Sequence, residues 1–239
     1  MYFESGTFMH RPKFTGLSYD FVDKMDLAAF TQTAVNSGTV AQVSTNNGVV
    51  RLSGAATTNN SGMLLIAPAV HWNTAPNTNS TTGVTDKAQF ELIGSFKRSS
   101  TNPGLIFGLT NVGSDLLGTP PTDGIWLSVA QGATRLKLNY ARGSSTVTID
   151  LGFDFDSSSH TLGLQCQADV LDGAGHIQVF VDGSTVYNSD NQVSAPITTG
   201  LPAQATNLAL AIQAESSSNV GTQYIDCDFI RARFSRGAW

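Results

Sequence analysis

Carboxylates are the residues of this chain whose spacing is most informative about chemistry. Glycoside hydrolysis needs two of them in one cleft, roughly 5 to 9 Å apart, one protonated and one ionised. The chain has three glutamates, far apart in sequence: Glu4, Glu91 and Glu215. Asp154 with Asp156, and Asp226 with Asp228, could each project from one strand face, although solvent-facing carboxylates are the simpler interpretation. The sequence therefore predicts a protein without catalytic residues.

No local sequence motif indicates a metal site or a catalytic nucleophile either. The four histidines are His10, His71, His160 and His176, and none lies in an HExxH motif or a close pair. Neither a nucleophile elbow nor a phosphate-binding loop is present, while a triad assembled across the fold stays open. Asp115 and Asp123 lie in loops where they could bind calcium or cap turns. We predict no metal and no cofactor, and leave calcium open.

Sugar binding is the alternative that the residue types allow. Aromatic side chains stack on sugar rings, and Asn or Asp side chains bond the hydroxyls. His71, Trp72 and Asn73 have these types and open a long polar loop expected over residues 71–86. Trp72 could instead cover the edge of the fold, and Trp126 is expected in the core or between sheets. The triplet is therefore a candidate glycan contact.

Charge and hydropathy exclude other partners. The net charge of −5 argues against nucleic-acid binding, which needs a clustered basic face. Arg231, Arg233 and Arg236 are expected on a solvated strand edge. No apolar run has membrane length, and the first thirty residues contain no apolar stretch typical of a secretory signal. We expect synthesis in a host cytoplasm, without secretion and without membrane contact.

Strict apolar and polar alternation predicts an all-β chain. Phe90, Leu92 and Phe96 fall on one strand face with Glu91 and Lys97 on the other. The further strands predicted are 49–52, 63–66, 105–109, 125–129, 136–140, 147–151, 162–170, 177–181, 185–187, 208–213 and 224–234. About a dozen antiparallel strands suffice for two packed sheets in one domain.

Turn residues support the same architecture. The Asp182-Gly183 pair fits a type I′ hairpin turn. Further reversals are expected at residues 171–175, 143–145 and 132–133. Residues 20–30 form either a helix or a first strand.

Two cysteines are too few for a disulfide framework or a metal knuckle. Cys166 and Cys227 alternate with apolar neighbours and are expected to be small buried core residues. Whether they pair is open at this stage, because pairing requires adjacent strands.

The N-terminal segment is expected to be distinct from the sandwich domain. Residues 1–16 form an arm, and residues 17–239 form the domain. The arm carries Tyr2, Phe3, Phe8, Arg11 and Phe14, an unusually aromatic set for a free tail. It either docks on another protein or packs on its own domain.

Three segments resemble the concanavalin A-like and laminin G-like jelly rolls. Residues 160–188 read HTLGLQCQADVLDGAGHIQVFVDGSTVYN, with the V-D-G hairpin typical of that superfamily. Residues 90–109 resemble its earlier strand pair, and residues 207–234 its final strand pair. The resemblance covers most of residues 20–235 and implies a two-sheet antiparallel jelly-roll β-sandwich. Because this fold hosts lectins, hydrolases and virion proteins, it selects no function alone.

The low-charge surface, the arm and the loop GSDLLGTPPTDG also resemble those of tailed-phage virion proteins. This resemblance implies a non-enzymatic capsid decoration or cement protein that binds the major capsid protein or other virion subunits as a homotrimer. The arm residues would then contact the capsid. A lectin-like module or tail adhesin that recognises host glycans is the first alternative, and an unusual polysaccharide hydrolase the second.

Overall fold

The strands of this chain form two antiparallel sheets. The structure, a computed structural model, describes residues 14–19, 28, 30–43, 48–55, 61–73, 77–78, 85–86, 88–111, 115–169, 174–189, 197, 200–202, 207–216 and 223–235. Among these residues, no helix is long and apolar enough to cross a membrane.

Seventeen strands are present in the described part of the chain. They are β1 (Phe14–Tyr19), β2 (Thr31–Val35), β3 (Thr39–Val43), β4 (Val49–Ser53), β5 (Ser61–Asn73), β6 (Asn77–Thr78), β7 (Thr85–Asp86), β8 (Ala88–Arg98), β9 (Gly104–Thr110), β10 (Gly124–Val129), β11 (Arg135–Arg142), β12 (Ser145–Asp154), β13 (Ser159–Asp169), β14 (Ala174–Val181), β15 (Ser184–Asn188), β16 (Asn207–Ser216) and β17 (Tyr224–Ser235).

Two large sheets contain nearly all of these strands. The eight-stranded sheet has the order β15-β14-β13-β8-β17-β4-β3, and β1 pairs with the C-terminal half of β17. The seven-stranded sheet has the order β12-β11-β10-β9-β16-β5-β2. Neighbouring strands that are distant in sequence, such as β9 and β16, arise from crossovers between the sheets. The predicted two-sheet antiparallel jelly-roll sandwich is confirmed.

The main core lies between the facing sides of the two sheets. Phe96 of the eight-stranded sheet and Phe107 of the seven-stranded sheet meet there, with ring centroids 4.9 Å apart. Alternation places Leu105, Phe107 and Leu109 of β9 in this core. The apolar positions predicted from period-2 alternation are therefore the ones that join the sheets.

A second, smaller apolar cluster lies on the outward side of the seven-stranded sheet. Its buried members are Leu64, Ile106, Leu116, Trp126, Ala141 and Ala211. Trp126 is buried as predicted, but its alternation with the core residues Ile125 and Leu127 turns it away from the other sheet. Leu116 belongs to the segment 115–123, which therefore packs across this outward side.

The tight turns follow the predicted residue chemistry. Asp182 and Gly183 have φ angles of 51° and 80°, the left-handed pair that a type I′ turn needs. Gly143 and Ser144 adopt the same pair of positive angles, 54° and 71°. Beyond residues 170–173, which lie outside the described part, Asp169 pairs with Ala174 and closes the predicted β13–β14 hairpin.

The expected loop over residues 71–86 is wrong in its extent. Strand β5 continues to Asn73, and Asn77–Thr78 pairs with Thr85–Asp86 as a two-stranded hairpin. Because residues 77–78 and 85–86 are mostly Asn and Thr, they show no alternation of apolar and polar residues, and the sequence pattern therefore favoured a loop. Strands β2 and β3 were missed for a related reason, because their side chains are largely half-buried or exposed.

The N-terminal boundary also differs in detail from the expected arm. Strand β1 begins at Phe14, which pairs with Ser235, so the last three arm residues belong to the eight-stranded sheet. The arm residues Tyr2, Phe3, Phe8 and Arg11 lie outside the described residues. So does most of the segment 20–30, of which only positions 28 and 30 are described.

Both cysteines are buried and unpaired. Cys166 of β13 lies opposite Phe90 of β8, and Cys227 of β17 lies opposite Phe96 of the same strand. Strand β8 therefore separates them, which settles the question that the sequence left open. Burial raises the pKa of both thiols, as expected for core residues.

The turn between β2 and β3 depends on a close approach of two glycines. Gly38 carries the chain from the seven-stranded to the eight-stranded sheet, and a Cβ there would overlap the backbone carbonyl of Gly62. We predict that Gly38→Ala destabilises the fold by about 3 kcal/mol, because backbone rather than a flexible side chain must move. Urea unfolding monitored by tryptophan fluorescence measures this change.

Gly152 provides the matched control. It has a φ of 68° and open space around the position of a Cβ, so Gly152→Ala should cost only about 1 kcal/mol of backbone strain. Equal losses in the two variants would contradict the steric explanation.

Candidate functional site

Glu215 stands out on the outward side of the seven-stranded sheet. Its neighbours in β16, Ile212 and Ala214, face the main core, so alternation turns Glu215 outward. Its cross-strand partners are Gly62 and Gly104, which have no side chains. The carboxyl group therefore has room above the sheet, although the residue is only 2 % exposed.

A cleft of about 300 Å³ lies over this carboxyl group. One wall is Leu117 and Gly118 of the segment 115–123, and the other is Ala130 and Gln131 of the β10–β11 turn. The side chains of Leu117 and Gln131 approach the bare α-carbon of Gly104, where a Cβ would lie 3.0 Å from both. The absence of a side chain at Gly104 thus allows the two walls to come together at the floor.

Gln213 connects the floor to the wall. Its Oε1 accepts a hydrogen bond of 2.6 Å from the backbone N–H of Leu116, which fixes the orientation of the amide. Its Nε2 then donates to Asp115 Oδ1 at 2.8 Å and to Glu215 Oε2 at 3.3 Å. The amide of this fully buried residue is bonded at both ends, which holds the segment 115–118 against β16.

Glu215 retains its proton at unusually high pH. Burial and, after it, the negative charge of Asp115 raise the pKa of this carboxyl group to about 7, against a hydrogen bond from Gln131 that lowers it. The carboxyl groups of Asp115 and Glu215 are also hydrogen-bonded to each other. The two acidic groups are therefore in contact with each other rather than on opposite sides of a space for substrate.

A second polar cluster continues along the same outward side. Asn139 Nδ2 donates to Ser128 Oγ at 2.8 Å, and Thr148 Oγ1 donates to Asn139 Oδ1 at 2.8 Å. Lys137 lies opposite Ser128 and Asp150 on the neighbouring strands. The sheet thus presents hydrogen-bonding groups beyond the cleft itself.

His160 lies in a different cluster, at a turn end of the sandwich. Its Nδ1 lies 2.7 Å from Asp182 Oδ2, and its Nε2 lies 3.0 Å from Asp156 Oδ1. Phe153 and Phe155 contact the imidazole ring. A hydrogen bond from the Ser158 backbone, followed by the one from His160, lowers the pKa of Asp156. Because both ring nitrogens are bonded within the fold, this cluster joins two turns rather than forming an open site.

The carboxylate pairs noted in the sequence do not form a cleft. Asp226 accepts two hydrogen bonds from Arg51, at 2.6 and 2.8 Å, and the guanidinium stacks 3.7 Å from the Tyr224 ring centroid. Asp154 accepts a hydrogen bond from Thr134, and Asp228 is exposed. Asp228 faces solvent as the simpler interpretation predicted, whereas Asp226 is held in a partly buried ion pair with Arg51.

The loop aspartates are turn-capping residues in the structure. Asp115 Oδ1 accepts from the Gly118 backbone at 3.0 Å, and Asp123 Oδ1 accepts from the Gly143 backbone at 3.1 Å. Within the described ranges, no group of three or more His, Cys, Asp or Glu residues could hold a metal ion.

The candidate glycan triplet lies at the other end of β16 from Glu215. His71, Trp72 and Asn73 pair with Ala209, Leu208 and Asn207, respectively. At about 3.3 Å per residue, these positions are ~20 to 26 Å from Glu215 along the strand. Only the backbone of the triplet is described, and its side chains lie outside the description.

The sequence identified Glu215 only as an isolated glutamate. The available signal was the alternation in AIQAES, which places two polar residues, Gln213 and Glu215, on one side of a strand whose other side is apolar. A polar pair on a buried strand indicates a layer above it. Nothing local indicated that Asp115 would be part of that layer.

Comparisons with known proteins show the fold. The chain matches no protein-family model, and no curated protein is significantly similar to it in sequence. A protein of unknown function from Shewanella oneidensis MR-1 has a TM-score of 0.58 at 15 % identity, covering 95 % of this chain and 88 % of that one.

Two further solved structures belong to named classes of protein. The lectin UEA-II, solved in complex with galactose, has a TM-score of 0.56 at 12 % identity over 95 % of this chain and 100 % of that one. The CBM2 module of the evolved Dit of Lactobacillus casei BL23 phage J-1 has a TM-score of 0.54 at 13 % identity, over 96 % and 100 %. The chain therefore has the concanavalin A-like jelly-roll fold.

The raised pKa of Glu215 predicts a specific dependence of stability on pH. The stabilisation from its protonated form is fully present below its ordinary pKa of 4.5 and is lost as the pH rises through about 7. At about 1.4 kcal/mol per pKa unit, wild type should lose roughly 3 kcal/mol more than Glu215→Gln between about pH 4 and pH 8.

Urea unfolding of both proteins at the two pH values measures this difference. Glutamine has nearly the shape of protonated glutamic acid and does not titrate, so it isolates the contribution of this carboxyl group. Parallel pH profiles for the two proteins would contradict a raised pKa.

Proposed function

We propose that this protein is a non-enzymatic carbohydrate-binding domain that holds a glycan unit in the cleft over Glu215. The observation that carries the proposal is the buried carboxyl group at the floor of an open cleft of about 300 Å³. Small-molecule sites typically begin at about 300 Å³ and combine apolar walls with a few fixed polar groups.

The cleft has the chemistry that a sugar ring requires. The Glu215 carboxyl group and the Gln131 amide provide hydrogen-bonding atoms for ring hydroxyls, and Gln213 holds Glu215 in place. Leu117 provides an apolar contact for the C–H side of the ring. Because the polar atoms are already positioned, binding would immobilise few protein side chains.

Proteins with the same fold support this proposal. They include a lectin solved with galactose and the phage J-1 CBM2 module. Hydrolysis is the less favoured use of the cleft, because Glu215 is the one carboxyl group among its described lining residues, whereas glycosidases place two in the cleft.

Filling the cleft tests the proposal. Ala130 is exposed on its rim, so Ala130→Trp should place an indole over Glu215 and weaken glycan binding at least about tenfold, a change of ~1.4 kcal/mol. A glycan array identifies the ligand, and titration calorimetry with that ligand measures the loss.

Thr146→Trp is the matched control. Thr146 is also exposed and lies on β12, opposite Ala141 and next to the β11–β12 turn. The control should bind as wild type does. Binding that survives Ala130→Trp unchanged would move the site elsewhere, and the triplet His71, Trp72 and Asn73 would become the next candidate.

A location in a virion is the second part of the proposal. The similarity to a CBM2 module of a phage protein supports this location, and the cleft over Glu215 leads us to favour a glycan-binding tail adhesin over a capsid decoration protein. In the decoration role, the arm would bind the major capsid protein, and a homotrimer would be the expected form at a symmetric lattice site.

Particle binding distinguishes the two virion roles. A decoration protein should bind capsids assembled without it and should lose that binding when residues 1–13 are deleted, a truncation that leaves β1 intact. An adhesin should instead bind host cells through the cleft, and Ala130→Trp should abolish this binding. Co-sedimentation with capsids and with cells measures each outcome.

A further inference from the structure

We infer that the cleft over Glu215 selects a sugar that carries a positively charged amino group and disfavours an acidic sugar. This inference rests on the proposed function and specifies the ligand class of the same cleft.

The charge of the cleft is one-sided. Of the described residues that line it, Glu215 is the one that can ionise, and none is basic. The carboxyl group of Asp115, which accepts from the same Gln213 amide nitrogen as Glu215, adds a second acidic group. An anionic sugar placed here would meet like charge at short distance, without a basic residue among the described lining residues to compensate it.

The hydrogen-bonding groups at the floor of the cleft also favour a cationic ligand. Both protons of the Gln213 amide are already donated, one to Asp115 and one to Glu215. The Gln131 side chain donates to Glu215 as well. The floor of the cleft therefore offers a ligand mainly hydrogen-bond acceptors. An ammonium group, with three N–H donors, matches these acceptors better than a hydroxyl group with one O–H donor.

An ammonium group would also relieve the close contact between the two carboxyl groups. Without a ligand, Glu215 keeps a proton near neutral pH because it is buried beside Asp115. A ligand cation at the floor would replace that proton, which leaves to solvent, and would allow Glu215 to ionise.

The described groups that contact Glu215 include no cation that would oppose this exchange. The groups that face Glu215 are Asp115 from the segment 115–123, Gln131 from the β10–β11 turn and Gln213 from its own strand. Its cross-strand neighbours on β5 and β9 are Gly62 and Gly104. Two basic residues, Arg135 and Lys137, lie on β11, with β9 and β10 between their strand and β16, and Arg135 forms an ion pair with Asp154.

Three probes that differ only at carbon 6 test the inference. They are methyl 6-amino-6-deoxyglucoside, methyl glucoside and methyl glucuronide, which carry an ammonium, a hydroxyl and a carboxylate group, respectively. An alkyl ammonium group stays charged near neutral pH, as in lysine. At about pH 7.5, NMR titration should give a dissociation constant at least about tenfold lower for the amino sugar than for the glucoside, with the glucuronide weakest.

Two variants identify the carboxyl group responsible. In Glu215→Gln, the ratio of the glucoside and amino-sugar dissociation constants should fall from at least about ten to near one. Glu91→Gln removes a carboxylate on the opposite sheet, where Glu91 pairs with Gln165 and Arg233, and should leave the ratio unchanged. Wild-type preference should also weaken at about pH 5.5, where Glu215 is more firmly protonated.

The outcomes separate the inference from the proposed function. Equal affinity for all three probes, tightest binding of the glucuronide, or a preference that persists in Glu215→Gln would overturn the inference and leave glycan binding intact. Binding of none of the probes, together with no glycan ligand that responds to Ala130→Trp, would overturn both.

Discussion

The structure depends on the burial of the facing sides of two sheets against each other. In β16, Leu210, Ile212 and Ala214 fill this space, and period-2 geometry then forces Gln213 and Glu215 to the outward side. Burial of one large aliphatic side chain contributes about 2 kcal/mol, and a shift of register by one residue would turn every such side chain outward. The position of Glu215 is therefore a consequence of the apolar residues that alternate with it.

The outward side of the seven-stranded sheet is only partly open to solvent, because the segment 115–123 packs on it. Leu116 extends the apolar cluster around Trp126, and the Gln213 amide bonds the backbone of the same residue. A buried amide without partners would cost about 1 to 3 kcal/mol, so the complete set of bonds at Gln213 favours one position for the segment. The cleft is the space left between this segment and the β10–β11 turn.

Local patterning predicted most strands and turns correctly. The run around Phe90, Leu92 and Phe96 and the Asp182-Gly183 turn needed no tertiary information, because alternation and left-handed turn residues act over a few residues. Strand β2 was missed because an edge strand with exposed side chains has little apolar alternation. Trp126 shows the limit of such patterns, since its burial was predictable but the side of the sheet on which it is buried was not.

The sequence by itself determined the fold class, the direction in which each core strand turns its side chains, and the absence of a local catalytic or metal motif. Only the tertiary structure decided which of the polar residues meet. Asp115 and Gln213 are 98 positions apart, and they come together because the segment after β9 packs back over β16. Such contacts depend on the path of a connection between strands, which no short-range spacing of residues encodes. The same is true of Gly104, whose role follows from the side chains that other elements place above it.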